Sequence, residues 1–450
     1  MTEPDSALLV RALQADASHT PESVRAVTAR LIRDGALTAG ARLPTIREVA
    51  RRCGLSTRTV VAAWSALREE GLITTNRRGG TVVVALEEVT AGRALATRDL
   101  LTGSPDYALQ PDLAPAMLAG LHTDQLNRPG RDYITDRLRE AVVDDWPFAA
   151  EAFVAAGGGS EGLFLAVDAA APAGSLVAVE EPVMPGFLDT LAEVGYEVLG
   201  IESDEQGALP DALAAVLRRQ PSVVVLQPEG GYAMGGALSE DRATELAAVL
   251  AATEQVPWIV EDDAVGPLAL AQAPSLGRWF PRRSVRVRSY CKAYGMDIRT
   301  CVIGGSAELV DRAIRARVHG IAANSRILQN ALAHLIIDPA TAALIDSARD
   351  RYTARREGLL AALRARGVTA YSGVNSLVVW VEVADEQAAL LELARHGIIV
   401  GSGAKSYVAP PRPGVVRVAV PQLPDAAAGL AELAGLLAEA SGARHREFLD

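Results

Sequence analysis

An alternation of residue types that begins near residue 99 constrains the fold most strongly. Short apolar runs at 175–180, 222–227, 257–263 and 300–305 are separated by Ala- and Leu-rich stretches, of which 243–253 is an example. Apolar runs that alternate with helical segments are typical of a mostly parallel α/β sheet. Ligands of such sheets bind beyond the carboxyl ends of the strands, where we therefore expect the functional side chains.

Charge is distributed unevenly along the 450 residues, a length that predicts two or three domains. Residues 21–85 hold 11 arginines and 5 acidic residues, a net charge of +6, whereas the whole chain carries −11. The remainder therefore carries −17. A basic module on an acidic body indicates a polyanion that is contacted by one end of the chain.

The basic module has the sequence pattern of a winged helix-turn-helix. Apolar spacing predicts a helix over 22–36, and Thr45 is a good N-cap with Glu48 three residues later. Gly54 is a plausible C-cap, and Ser56 is an N-cap for a further helix. Gly71 then stops that helix, and two short strands follow around a glycine-containing turn with two arginines at its tip.

This arrangement predicts binding to double-stranded DNA, because residues in the first turn of a recognition helix face base edges and phosphates. The residues predicted to contact DNA are Arg47, Ser56, Thr57, Arg58, Thr59, Arg77, Arg78 and Gly80. For Arg51 and Arg52, a phosphate contact and a solvated face are both open. The alternative for the whole module is a small helical domain with solvated arginines.

The module resembles the GntR family of bacterial repressors. The resemblance lies in L-P-T-I-R-E-V-A, L-S-T-R-T-V, E-G-L-I and R-R-G-G-T-V-V, and it covers about 65 residues. It implies a DNA-binding domain over residues 1–85, followed by a linker over 86–98.

Lysine is almost absent from the chain, since 42 of the 44 basic residues are arginine and the only lysines are Lys292 and Lys405. Arginine cannot form an imine with a carbonyl, because its guanidinium stays protonated. Lys292 directly follows a strand-like run, which is a good setting for such a lysine. Lys405 lies in a loop-like segment, where a solvated surface charge is expected.

Other residues suit the remaining groups of pyridoxal 5′-phosphate. Gly158 and Gly159 precede a helix, whose first N–H groups bind anions, although such glycines often mark only a tight turn. Ser289 and Arg299 flank Lys292 and could hold the same phosphate. Either Asp262 or Asp263, at the end of a strand, could pair with the ring nitrogen.

The order of these residues resembles that of fold-type I aminotransferases, and the whole chain resembles the MocR-type regulators, which fuse that fold to a winged helix. The resemblance runs over about 21–436 and includes V-A-V-E-E-P, I-V-E-D-D and R-S-Y-C-K-A-Y-G-M-D-I-R. It implies that Lys292 forms the imine, that Asp262 meets the pyridine nitrogen, and that Arg417 binds the carboxylate of an effector. The alternative for Arg417 is an exposed strand arginine.

Three positions depart from the aminotransferase pattern. Ala264 stands where relatives often place a tyrosine, and Met184 where an aromatic ring stacks on the pyridine. Tyr232 replaces the usual asparagine, and its hydroxyl could reach the cofactor. Because the anchors are kept and the tuning groups are lost, we expect a sensor of pyridoxal phosphate. The stretch around Lys292 is similar to that of the subgroup that controls vitamin B6 salvage.

The predicted protein is therefore a DNA-binding transcriptional regulator with an aminotransferase-like domain over 99–450. The alternative is an active aminotransferase that carries a DNA-binding module, and a regulator without a cofactor is disfavoured by the lysine usage. We expect a head-to-tail homodimer that reads paired half-sites, and no metal site. We expect neither a signal peptide nor a membrane span, and the few cysteines, Cys53, Cys291 and Cys301, favour the reducing cytoplasm.

Overall fold

The chain forms two structural units, Met1–Thr97 and Arg98–Asp450. The computed structural model describes residues 5–15, 20–33, 36–38, 40–69, 72–75, 81–83, 98–123, 126–128, 130, 132–232, 236–317 and 323–442. Most of the predicted linker lies outside these residues, and its last residue, Arg98, begins a strand.

Helices make up most of the described N-terminal unit: α1 (Asp5–Ala15), α2 (Pro21–Arg33), α3 (Ile46–Cys53) and α4 (Thr57–Glu69). The predicted N-cap at Thr45 is confirmed, since its side chain accepts from the Glu48 N–H at 3.3 Å. Gly54 ends α3 in the left-handed conformation at φ +67°, which is why glycine suits this position. The Ser56 hydroxyl caps α4 by accepting from the Thr59 N–H at 3.0 Å.

A small antiparallel sheet completes the N-terminal unit: β1 (Arg42–Leu43), β2 (Ile73–Thr75) and β3 (Thr81–Val83), in the order β1-β3-β2. It packs with the helices around a core that includes the fully buried Trp64. Sequence analysis predicted β2 and β3 but not β1 or α1. In α1, Leu9 and Leu13 are buried one helical turn apart, a signal too short to stand out in the sequence.

The strands of the C-terminal unit are β4 (Arg98–Asp99), β5 (Ala152–Ala156), β6 (Leu176–Glu180), β7 (Glu197–Ile201), β8 (Ser203–Asp204), β9 (Gly207–Ala208), β10 (Val223–Leu226), β11 (Trp258–Asp263), β12 (Ser284–Ser289), β13 (Cys301–Gly305), β14 (Ala370–Tyr371), β15 (Val378–Val383), β16 (Ile398–Ile399), β17 (Gly401–Ser402) and β18 (Gly414–Ala419). The main sheet has the order β5-β13-β12-β11-β10-β6-β7 in the described part of the chain. Of the seven described strands of this sheet, β13 alone runs opposite to the other six, so the prediction of a mostly parallel sheet is confirmed.

The helices of this unit are α5 (Leu113–Leu121), α6 (Asp136–Val143), α7 (Gly159–Ala170), α8 (Phe187–Val194), α9 (Pro210–Leu217), α10 (Glu240–Ala251), α11 (Cys291–Tyr294), α12 (Ala307–Ala316), α13 (Arg326–Ile337), α14 (Pro339–Arg364), α15 (Glu386–Arg395) and α16 (Ala427–Ser441). One face of the main sheet packs against α7, α8 and α12, and the opposite face packs against α9 and α10. Strand residues alternate between the two cores, as Val177 and Ala178 do, because successive side chains point to opposite faces.

A second, antiparallel sheet has the order β14-β15-β18-β17 and packs against α14 and α16. Its register places Trp380 of β15 and Gly401 of β17 on either side of Arg417 in β18. Beside it, β4 pairs in parallel with β16. The first described strand of the unit therefore pairs with a strand that directly precedes β17, the neighbour of the Arg417 strand β18.

In the described residues, no single helix has the length and apolar composition needed to cross a membrane. Helices α13 and α14 pass that test only as a pair bent by 74°. Cys53, Cys291 and Cys301 are all buried and free of disulfides.

Candidate functional site

Lys292 lies on the short helix α11, directly beyond the carboxyl end of β12. Its side chain is half-buried, and Nζ lies 3.4 Å from the Tyr232 hydroxyl and 4.8 Å from the centroid of that ring. Tyr232 thus contacts the lysine amine directly, and a contact of its hydroxyl with the cofactor stays a prediction. Lys405, by contrast, is exposed and pairs with Asp189 at 3.1 Å, which fits the expected surface charge.

The two acidic residues that end β11 have different environments. Asp263 accepts hydrogen bonds from Arg286 at 3.1 Å, from Arg288 at 2.7 Å and from the Gly266 N–H at 2.8 Å. Oδ2 of the buried Asp262 has no hydrogen-bond partner among the described residues. Asp262 is therefore the carboxyl that can pair with a cationic ligand atom.

Burial raises the pKa of Asp262 from 3.8 to about 7, although the Lys292 ammonium opposes that shift. Burial also acts on Asp263, but the cations of Arg286 and Arg288 outweigh it and hold the pKa of Asp263 below its usual range. The two neighbours thus differ because only Asp263 has buried cations as direct partners.

A buried charge cluster surrounds Arg286, which is itself fully buried. Its guanidinium pairs with Glu229, with Glu261 at 3.2 Å and with Asp263 at 3.1 Å. Breaking such a pair costs several kcal/mol, because the remaining charge stays buried and uncompensated. The cluster therefore fixes the end of β11, and with it the position of Asp262.

The glycine turn before α7 meets Ser289 at the end of β12. Gly158 has φ +119°, and a Cβ on Gly159 would lie only 2.9 Å from the Ser289 Cβ. Glycine at 159 thus allows the first turn of α7 to approach the serine hydroxyl. Arg299, which follows α11 in sequence, is exposed and has φ +35°. The first N–H groups of the 12-residue helix α7 and the serine hydroxyl suit a phosphate dianion.

The positions that depart from the aminotransferase pattern have defined contacts. Ala264 is buried and supplies no hydroxyl, and the Met184 sulfur accepts from the Ser160 hydroxyl at 3.3 Å. The Tyr232 carbonyl accepts from the Trp380 indole N–H at 2.9 Å, and its N–H donates to Gln227 Oε1 at 3.2 Å. Tyr232 is thus held by main-chain bonds on both sides.

Arg417 is 5% exposed, so the alternative of an exposed strand arginine is wrong. Its guanidinium packs over Gly401, where a Cβ would lie 2.6 Å from Nη2. Nε has no hydrogen-bond partner among the described residues, and burial lowers the pKa of Arg417 from its usual value. A buried guanidinium whose Nε has no partner among the described residues is suited to a carboxylate ligand.

On the N-terminal unit, Ser56, Thr57 and Arg58 are exposed in the first turn of α4, and Arg47 is exposed on α3. Thr59 is half-buried, and its hydroxyl lies 2.8 Å from that of Ser56. Both hydroxyls are thus engaged in the start of the helix.

Of the other candidates for DNA contact, the structure describes only two. Arg51 and Arg52 are exposed, and Arg52 lies 3.6 Å from Glu48. Arg77, Arg78 and Gly80 lie outside the described residues.

Sequence analysis missed several residues that position the site, namely Gln110, Gln227 and Trp380. Gln227 directly follows β10, so the rule that polar residues collect at strand ends could have found it. Gln110 and Trp380 contact residues 182 and 148 positions away in sequence, and no local pattern marks them.

Both parts of the chain match known families. Residues 99–431 match the model "Aminotransferase class I and II", and residues 3–83 match "Bacterial regulatory proteins, gntR family". The chain therefore belongs to the class I and II aminotransferase family and joins this domain to a GntR-type helix-turn-helix, the domain combination of the MocR-type regulators.

Two curated relatives are named as transcriptional regulators. The chain is 27% identical to the vitamin B6 salvage pathway transcriptional repressor PtsJ of Salmonella typhimurium, over 85% of this chain and 90% of that protein. It is 29% identical to the pyridoxine biosynthesis transcriptional regulator PdxR of Corynebacterium glutamicum, over 52% of this chain and 54% of that one.

Solved structures share the fold of the C-terminal unit. The α-aminoadipate aminotransferase LysN of Thermus thermophilus superposes with a TM-score of 0.68 at 19% identity, over 84% of this chain and 97% of its own. Aspartate aminotransferase of the same organism, solved with maleate, gives 0.64 at 19% identity, over 78% and 96%. The predicted fold-type I architecture is thereby confirmed.

Proposed function

We propose that this protein is a transcriptional regulator that binds operator DNA through its winged helix and senses pyridoxal 5′-phosphate through its aminotransferase-like domain. The name of the relative PtsJ supports a role in vitamin B6 metabolism. The observation that carries the proposal is the buried carboxyl of Asp262, whose Oδ2 has no hydrogen-bond partner among the described residues and which interacts electrostatically with Lys292, in a chain that also holds a helix-turn-helix.

The residues fit the cofactor at each of its polar groups. Lys292 offers an amine for its aldehyde, Asp262 a carboxylate for its ring nitrogen, and Gly158, Gly159, Ser289 and Arg299 a cradle for its phosphate. When bound, pyridoxal phosphate supplies a reactive carbonyl and an electron-accepting ring. The Tyr232 hydroxyl, 3.4 Å from Nζ, would orient the lysine amine.

An effector with a carboxylate has a place at Arg417. The guanidinium is buried, and its Nε has no partner among the described residues, so a carboxylate there gains a charged hydrogen bond without first displacing a protein partner. An amino acid would bring its amino group and its carboxylate to the same pocket. We therefore propose an amino compound as the second ligand.

For DNA, we propose that Arg58 and Thr57 reach base edges, while Arg47 contacts a phosphate. The wing residues Arg77, Arg78 and Gly80 are proposed to contact the adjacent groove or backbone. We further propose a head-to-tail homodimer that reads paired half-sites in the cytoplasm. A monomer in light scattering at micromolar concentration would contradict the dimer.

The second candidate function is an active aminotransferase, and the retained Lys292 and the buried Arg417 favour it. Against it stand Ala264 and Met184, which lack the hydroxyl and the ring that tune the cofactor's electrons. The two functions differ in their expected kinetics. A sensor holds the cofactor but converts it slowly to the amine form, whereas an enzyme turns over many times.

The test pairs two measurements on the purified full-length protein. The first is a spectrum with pyridoxal phosphate, followed by borohydride reduction and peptide mapping, for the wild type, Lys292→Arg and the control Lys405→Arg. We expect the yellow adduct on Lys292 only, lost in Lys292→Arg and kept in Lys405→Arg. A label on Lys405, or no colour with excess cofactor, would refute the cofactor assignment.

The second measurement is a titration of DNA selected by the protein from genomic fragments, with and without pyridoxal phosphate, beside a stopped-flow panel of amino acids. We expect the cofactor to change operator affinity, because a ligand that binds two conformations unequally shifts their populations. Rapid multiple-turnover transamination without any effect on DNA binding would favour the enzyme instead.

A further inference from the structure

The first residues of the C-terminal unit, 98–110, follow the linker from the DNA-binding module, and we call them the entry segment. We propose that Gln110 is a positioning residue which ties the backbone of the Lys292 helix to the entry segment, so that ligand binding at Lys292 and Arg417 is transmitted toward the linker. This inference rests on the proposed function.

The start of the entry segment is built into the strands around Arg417. Arg98 N–H donates to the Gly397 carbonyl and Leu100 N–H to the Ile399 carbonyl, both at 2.8 Å. The Leu100 carbonyl accepts from the Ala419 N–H at 2.8 Å. Ala419 lies two residues from Arg417 in β18.

Gly401, over which the Arg417 guanidinium packs, lies two residues from Ile399. A movement of Arg417 toward a carboxylate therefore acts on strands that are bonded directly to the entry segment.

The middle of the entry segment is hydrogen-bonded to helix α14 and to the turn that follows β18. Asp106 accepts from the buried Arg355 at 2.7 Å, and its N–H donates to the Tyr352 hydroxyl at 3.0 Å. The Gln422 amide donates to the carbonyl of Ser104 at 2.7 Å. These bonds anchor the middle of the segment, and its main chain links the strands near Arg417 to Gln110.

The far end of the entry segment contacts the lysine helix. The Gln110 amide nitrogen donates to the Lys292 carbonyl at 3.3 Å and lies 3.5 Å from the Ala293 carbonyl. Its Oε1 is buried without a partner among the described residues, 3.4 Å from the Cβ position of Gly295. The side chain thus holds the backbone of α11 and makes none of the contacts proposed for the cofactor.

The entry segment therefore contacts the ligand site at two places, near Arg417 and at Lys292. The strand pairing reaches the carboxylate arginine, and Gln110 reaches the lysine. When Lys292 moves to join the cofactor, its carbonyl can move only with Gln110 or by breaking that bond. Removing the Gln110 donor should therefore weaken the coupling between the ligand site and the linker far more than it weakens ligand binding.

The test uses Gln110→Met, which keeps the length of the side chain and removes the donor, and the control Gln272→Met, whose amide donates to the Asp145 carbonyl at 2.7 Å, outside the entry segment. Gln110→Asn, which keeps an amide on a shorter side chain, serves if the methionine variant does not fold. For each protein we measure the binding of pyridoxal phosphate by absorbance and operator affinity with and without the cofactor. Hydrogen exchange of peptides within 98–113 is followed under both conditions.

In the wild type and in Gln272→Met, we expect the cofactor to change operator affinity by about tenfold, a typical coupling, and to slow exchange in the entry segment. In Gln110→Met the cofactor should still bind within a few-fold, while its effect on the operator falls to about twofold or less and the exchange response of 98–106 disappears. Full coupling retained in Gln110→Met, or an entry segment in the wild type that does not respond to the cofactor, would overturn the inference.

A failure of the proposed function can be told apart from a failure of the inference about Gln110. If the proposed function is wrong, the cofactor leaves operator affinity unchanged in the wild type. The exchange data still decide whether Gln110 ties the lysine to the entry segment.

Discussion

Replacing Asp262 by asparagine should stabilise the cofactor-free protein, and the gain should grow with pH. Burial raises the pKa of this carboxyl from 3.8 to about 7. A carboxyl with a raised pKa in the folded state favours folding only while it is protonated, so stability is lost as pH rises from 3.8 toward 7. Each pKa unit is worth about 1.4 kcal/mol, so the raised pKa of Asp262 costs about 4 kcal/mol of stability above pH 7 and about 2 kcal/mol at pH 5.

Asparagine keeps the shape and cannot ionise. The measurement is urea unfolding of cofactor-free wild type and Asp262→Asn at pH 5 and pH 8. We expect the variant to be more stable at both, and by about 2 kcal/mol more at pH 8 than at pH 5. The quantity to compare is the difference in the free energy of unfolding between the two proteins, because burial also raises the pKa values of Glu180 and Glu229 to about 7 in both.

Asp263→Asn is the matched control, one residue away. It removes the acceptor of Arg286 and Arg288, and it should destabilise the protein by about 3–5 kcal/mol at pH 7 because buried cations lose their partner. Asp262→Asn should in turn weaken the binding of pyridoxal phosphate by about thirtyfold, the loss of one charged hydrogen bond. A variant less stable than the wild type at pH 8, or a stability difference that does not change with pH, would refute this reasoning.

Further changes test other parts of the structure. Gly159→Ala should weaken pyridoxal phosphate far more than pyridoxal in paired titrations, since the new Cβ would lie 2.9 Å from that of Ser289; equal losses would contradict the phosphate cradle. Arg58→Ala should weaken operator binding by about 1–3 kcal/mol in gel shifts and relax its sequence specificity, whereas an unchanged affinity would exclude a base contact. Thr45→Ala should cost about 1 kcal/mol in thermal unfolding of the DNA-binding module, because the cap of α3 is lost. Arg417→Ala should leave the cofactor spectrum intact and abolish any spectral response to amino acids.

The sequence predicted those features whose cause is local. Thr45 and Gly54 are recognisable because a cap depends on three or four neighbouring residues, and the parallel sheet because each apolar run is a strand. The residues alone left the choice between Asp262 and Asp263 open, and Asp262 was chosen only through the resemblance to aminotransferases, although the information was present. Strand side chains alternate, so Asp263 shares a face with Arg286 and Arg288 of the adjacent strand, and Asp262 faces the other way. Using that rule required knowing that β11 and β12 are neighbours.

Gln110 and Trp380 could not be found from the sequence, because their roles depend on contacts that only the folded chain brings together. A glutamine or a tryptophan carries no local pattern that assigns it to a site. Lys292 was found for the opposite reason, since the composition itself left one lysine beside a predicted strand.

The site holds polar atoms that have no partner among the described residues: Asp262 Oδ2, Arg417 Nε and Gln110 Oε1. A buried polar group without a partner costs about 1–3 kcal/mol, and more when it is charged. A ligand that supplies a cationic ring nitrogen and a carboxylate relieves the two charged groups. Shifting a two-state equilibrium from 1:99 to 99:1 needs about 5.5 kcal/mol of differential binding, which is of the same order. The unpaired charges thus give this site enough free energy to act as a switch, provided that only one of the two conformations brings Asp262 and Arg417 to the ligand together.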